Sequence, residues 1–159
     1  MSRAATVLLL LATLSAGCGP EQAPVPRPIF RNFNTEVSTI HLGQPWTAEE
    51  VPGAEPEDTV VALPPGTFER AQSVRVHRTP AGVVSSIMFD YPQTTNFQAM
   101  QAEYSKLLGP PKEHQKPPRD DAPERLVWHD SLTRFELVRD PKRSASTIYT
   151  RLTDLSGAL

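Results

Sequence analysis

The chain has 159 residues, with 16 lysines and arginines against 18 acids, a formal net charge of −2 and one cysteine. This balance excludes the basic footprint of a nucleic-acid binder, and a lone thiol excludes intrachain disulfides, CxxC redox chemistry and clustered thiolate metal sites. The length allows one domain with one core, and seventeen clustered prolines, well above the usual ~5% of a chain, shrink the part that packs.

Arg3 begins a short positive region, Ala4 to Leu14 is uncharged and apolar, and Ser15, Ala16 and Gly17 supply small residues before Cys18. That layout is an export signal, because a spanning helix needs roughly 20 apolar residues and Gly17, Gly19 and Pro20 interrupt this run first. Leu14-Ser15-Ala16-Gly17-Cys18 resembles the lipobox of bacterial lipoprotein signal peptides. The resemblance implies that residues 1–17 are removed and that Cys18 carries a diacylglyceryl thioether and an amide-linked third chain. Each buried methylene contributes about 0.8 kcal/mol, so several chains give stable attachment to membrane lipid. In that family an aspartate after the cysteine retains the protein in the inner membrane; Gly19 stands here, which implies an outer-membrane anchor, and the domain is expected to face the periplasm although no residue encodes that orientation. Cleavage removes Arg3 and no acid, which moves the net charge from −2 to −3.

Residues 18–28, with Pro20, Pro24, Pro26 and Pro28, read as a tether that favours polyproline II at about 3.1 Å per residue. Residues 29–159 are expected to form a single small α+β domain. Ile29 to Ile40 reads as an extended lead-in with at most one strand, and Gly43-Gln44-Pro45-Trp46 as a turn whose indole covers one end of the core. Thr47-Ala48-Glu49-Glu50 fits a capping box, stopped within a turn by Pro52. The acidic, proline-containing stretch around Glu49, Glu50, Glu55, Glu57 and Asp58 reads as solvated loop.

Thr59 to Leu63 is a β-branched strand ended by Pro64-Pro65-Gly66. Ser73 to His77 alternates Val74 and Val76 against Arg75 and His77, and Thr79-Pro80-Ala81-Gly82 turns it into a strand over Val83 to Tyr91. In that strand Val83, Ile87, Phe89 and Tyr91 share one parity and Val84, Ser86, Met88 and Asp90 the other. Thr95 with Gln98 makes a capping box for a helix carrying Phe97, Met100, Tyr104, Leu107 and Leu108, ended by Gly109-Pro110. The charged, proline-rich stretch from Pro110 to Pro123 reads as loop. Strands then follow at Glu124 to His129, Thr133 to Arg139 and Ser146 to Thr153, with short links that favour an antiparallel meander. The expected fold is α+β: an antiparallel sheet of about five to six strands in the order β-β-β-α-β-β-β, with one main helix packed on one face.

His129, Asp130 and Ser131 have the letters of a hydrolase triad, but consecutive residues do not converge on one reactive oxygen, so the triplet reads as a turn and no catalytic residue is assigned. GxSxG, P-loop, GxGxxG and HExxH patterns are absent from the sequence, and His41, His77, His114 and His129 are too dispersed for a helix-borne metal pair. No cofactor, metal or nucleic-acid partner is expected. Alternation puts Leu126, Trp128, Phe135, Leu137, Ile148 and Leu152 toward the helix and Val127, His129, Arg134, Glu136, Tyr149 and Arg151 on the other face. His129, Arg134, Glu136, Tyr149 and Arg151 are the candidate binding face: guanidinium forks for carboxylates, an aromatic for stacking and a carboxylate for a balancing pair. Arg139, Lys142 and Arg143 extend its positive character at one end.

A small tethered α+β domain behind a lipobox resembles the accessory lipoproteins of the bacterial envelope. Leu42-Gly43-Gln44-Pro45-Trp46-Thr47 resembles the start of one small assembly lipoprotein family. That family runs two helices before three strands, whereas a hairpin intervenes here, so none of its residues is carried over. The expected function is a membrane-anchored, non-catalytic binding or assembly module that meets another envelope protein through its polar sheet face or a strand edge. The alternative is a periplasmic enzyme or enzyme inhibitor using that polar face.

Overall fold

The computed structural model describes residues 32–34, 39–47, 51, 53–57, 59–68 and 70–156. The expected signal segment 1–17, Cys18, the tether 18–28 and Ala48 to Glu50 of the expected short helix lie outside the described residues. Two short strands, β1 (Asn32–Asn34) and β2 (Thr39–His41), pair as an antiparallel ribbon where one strand at most was expected. A single antiparallel sheet contains β3 (Glu55–Glu57), β4 (Val60–Leu63), β5 (Ser73–Arg78) and β6 (Val84–Asp90). Helix α1 (Phe97–Leu108) follows, and β7 (Glu113–Gln115), β8 (Glu124–His129), β9 (Thr133–Arg139) and β10 (Ile148–Asp154) complete the same sheet.

The fold is α+β, dominated by sheet, with one helix against one face. The spatial order is β3-β4-β5-β6-β10-β9-β8-β7, which is two four-stranded meanders joined through β6 and β10. The sheet therefore has more strands than the five or six expected, and a different succession along the chain. The sequence reads as loop at β3 and β7 because both are three-residue strands within charged, proline-containing stretches, with too few residues to show an alternating pattern. Backbone pairing makes them: Glu113 lies opposite Val127, and the Lys112 amide donates to the Val127 carbonyl at 2.8 Å.

The core lies between the sheet and α1. Val61, Val74, Val76, Ile87, Phe89, Leu126, Trp128, Phe135, Leu137, Ile148 and Leu152 line it from the strands, joined by Ile40, Leu42, Trp46 and Val51 ahead of the sheet. The helix contributes Phe97 and Met100, at 3% and 2% exposure, each of which contributes about 1.5–3 kcal/mol when buried. Tyr104 stacks edge-on against Phe135 at 4.7 Å, and its burial raises its phenol pKa well above the ordinary value. Leu107, in the last turn, stays 53% exposed. Gly109, at φ +82°, ends the helix, and its carbonyl accepts from the Trp128 indole at 2.9 Å, tying α1 to β8.

Two local expectations are corrected. The helix cap is Asn96, one residue after Thr95: its Oδ1 accepts from the Ala99 amide at 3.0 Å. The β5–β6 hairpin carries a bulge, since His77 pairs with Ser86 while Arg78 pairs with Val84, which leaves Ser85 unmatched. The Ser85 hydroxyl donates to the His77 carbonyl at 3.1 Å. That extra residue switches the parity, so Val84 is fully buried in the core although the alternation put it on the other side.

Candidate functional site

The sheet face opposite α1 is polar, and strand register sets its layout. Direct cross-strand partners project on the same side, so three rows run across it. The first is Ser73, Asp90, Tyr149, Val138, Arg125, Gln115; the second is Arg75, Met88, Arg151, Glu136, Val127, Glu113; the third is His77, Ser86, Thr153, Arg134, His129. His129, Arg134, Glu136, Tyr149 and Arg151, the residues singled out from the sequence, occupy this face, on β8, β9 and β10. Met88, Val127 and Val138 are buried on it at 7%, 0% and 1% exposure, outside the main core, and the long charged side chains around them form its outer layer.

The two ends of the face are electrostatically different. At the β8–β9 end, Glu136 accepts from the Arg134 Nε at 3.2 Å and pairs with Arg125 at 3.6 Å. Glu113 on β7 lies 3.9 Å from both Arg134 and His129. Two arginines meet two carboxylates here, so this end is neutralised internally.

At the β5–β6–β10 end, Asp90 is buried and takes Arg75 at 2.7 Å, the Ser73 hydroxyl at 3.0 Å, and Arg143, which reaches in from the β9–β10 loop. Arg75 and Arg143 also each place an Nη2 on the Met88 sulfur, at 3.4 and 3.3 Å. The Arg143 guanidinium stacks over the Tyr149 ring at 4.4 Å, and Arg151 lies over the same ring at 5.9 Å. Arg151 has no carboxylate partner among the described residues, because its cross-strand neighbour Glu136 is held by Arg134 and Arg125. The Nε of Arg75 is buried without a hydrogen-bond acceptor. Desolvation first, then the positive charges of Arg151 and Arg75, holds the His77 imidazole below the ordinary histidine range. The uncompensated positive charge of the face therefore sits around Met88, where Arg151 and Arg143, both singled out from the sequence, meet Arg75 on β5, which was not.

Sequence reasoning missed Arg75, His77, Met88 and Asp90 as members of the site because alternation gives each strand's parity and not its neighbours. The Arg75 and His77 alternation was the available signal; that β6 lies beside β10 had none. The expected turn at His129-Asp130-Ser131 is present: Asp130 Oδ1 accepts from the Leu132 and Thr133 amides, both at 2.7 Å, and closes the β8–β9 hairpin. That occupies the carboxylate with backbone. Among the described residues no three His, Cys, Asp or Glu side chains group to hold a metal ion, and no helix is long and apolar enough to cross a membrane. Compared with protein-family models, curated proteins and solved structures, the chain matches none of them.

Proposed function

We propose that the chain is a lipid-anchored protein of the bacterial cell envelope, acylated on Cys18, attached to the outer membrane and facing the periplasm. Its domain is a non-catalytic binding or assembly module that presents the arginine-bearing sheet face to an anionic partner. The observation that carries the binding reading is the charge layout: around Met88 two arginines share one carboxylate and a third, Arg151, has none among the described residues, in a chain whose net charge is −2. The face is preferred to an edge, because β3 is three residues long with Pro56 at its centre and β7 is the short charged run Glu113-His114-Gln115. Short, charged or proline-bearing edges resist addition of another strand. Glu136 held between two arginines, and Asp130 committed to backbone, favour binding over an enzyme built on His129, Arg134, Glu136 and Tyr149.

The anchor is tested by Cys18→Ser in the native host. The expected result is transfer from the membrane fraction to the soluble fraction with loss of fatty-acid labelling; retained membrane association with retained label overturns the anchor. Reversing the charge of the face with Arg151→Glu should weaken crosslinking to the envelope partner, and unchanged crosslinking discards the face as its docking surface.

A further inference from the structure

We infer that the group of Arg75, Arg143 and Arg151 around Met88 is an anion subsite that takes a phosphate monoester. The inference deepens the binding reading above and rests on the polar face being the contact surface. Arg75 and Arg143 are tied together twice, through the Asp90 carboxylate and through the Met88 sulfur, so their guanidiniums are held in place before any ligand arrives. Arg143 and Arg151 are tied through the Tyr149 ring. Three positive charges, two of them held by hydrogen bonds, against the single charge of Asp90 leave an excess of two. A phosphate monoester carries about −1.5 to −2 near neutral pH on three acceptor oxygens, which matches that excess with one group. A lone carboxylate supplies one charge and two oxygens. Access is available: Arg75 and Arg143 keep 36% and 20% of their side-chain surface open, and Arg151 is only half-buried. Guanidinium forks are the side chains best shaped for phosphate oxygens.

Met88 forms the floor of this subsite. Its sulfur is soft and weakly accepting, so it positions the two arginines without neutralising them. An acid in its place would leave little excess charge for a ligand. The β8–β9 end has that arrangement, with Glu136 and Glu113 among its arginines, and serves as the internal comparison.

The test is titration of the full-length chain with methyl phosphate, sodium acetate at equal ionic strength, and vesicles containing phosphatidic acid, read by arginine side-chain NMR shifts and by co-sedimentation. Saturable shifts at Arg75, Arg143 and Arg151 with methyl phosphate, and weaker ones with acetate, are expected. Arg151→Gln, which removes no ion pair among the described residues, should weaken methyl phosphate by about tenfold or more, whereas Arg70→Gln, at an exposed arginine paired to Glu103 on the helix, should leave it unchanged. Saturation by methyl phosphate alone assigns a soluble phosphomonoester, and Arg151-dependent binding to the vesicles as well assigns a lipid headgroup; both support the subsite. Absence of saturable shifts, equal response to acetate, or equal loss in Arg70→Gln overturns it. A face that crosslinks its envelope partner through Arg151 yet ignores methyl phosphate sinks the phosphate assignment alone.

Discussion

His77 shows how a single side chain reports the field it sits in. Its pKa is lower in the folded chain than in the unfolded one, because burial and the nearby Arg151 and Arg75 all disfavour the imidazolium. The unfolded chain therefore binds the proton more readily. The associated stability is fully present above the unfolded pKa and is lost as pH falls through that value toward the folded one. The urea midpoint should drop between about pH 7.5 and about pH 5, and His77→Gln, which has no proton to take up there, should show a smaller drop. Equal drops in both proteins would assign the dependence to another group. Residue type and parity on this face were legible in the sequence, as Arg75 and His77 against Val74 and Val76 show. The lone standing of Arg151 was not, because it depends on which arginines hold Glu136 across two neighbouring strands.

At the scale of elements, the helix start is decided by one hydrogen bond. Asn96 accepts from Ala99, so Asn96→Ala should cost about 1 kcal/mol in urea unfolding, whereas Thr95→Ala should cost a few tenths. The reverse ranking would restore the capping box read from Thr95 and Gln98. The helix itself was legible because Phe97, Met100 and Tyr104 repeat at helical spacing over twelve residues and Gly109 closes it. Long strands with clear alternation were legible for the same reason; β8 and β9 were expected at the residues where they occur. A one-residue bulge defeats alternation, since Ser85 reverses the facing of Val84 at the start of β6 while leaving composition untouched. The edge strands β3 and β7 owe their existence to pairing with β4 and β8, and three residues leave no periodic mark.

Among the described residues the large sheet is two meanders sharing one core, and their only strand-to-strand join is the β6–β10 pair. The side chains cross this join freely: Tyr91, just after β6, bonds Thr150 on β10 at 3.1 Å, and Ser146 donates to the Tyr91 carbonyl at 2.6 Å. A shared core of this kind should melt as one unit. The two tryptophans provide the readout, because the Trp46 amide is bonded to Gly82 beside β6 and Trp128 lies on β8 in the other half. In Trp46→Phe and in Trp128→Phe, fluorescence of the remaining indole and far-UV circular dichroism should give coincident midpoints; separated midpoints within either variant would show that the halves unfold independently. Neighbours within each meander were legible from short links such as Asp130-Ser131-Leu132, but the join is between residues about sixty positions apart and nothing local encodes it.

That join also orders events during synthesis. β6 leaves the ribosome with one side paired to β5, and its other side waits until β10, close to the end of the described chain, has emerged. While about sixty further residues are made, a long inner strand stands open, with none of the short or proline-bearing protection found at β3 and β7. A nascent chain stopped before Ile148 would carry that open edge permanently, which makes it a target for holding chaperones and for clumping with its own kind.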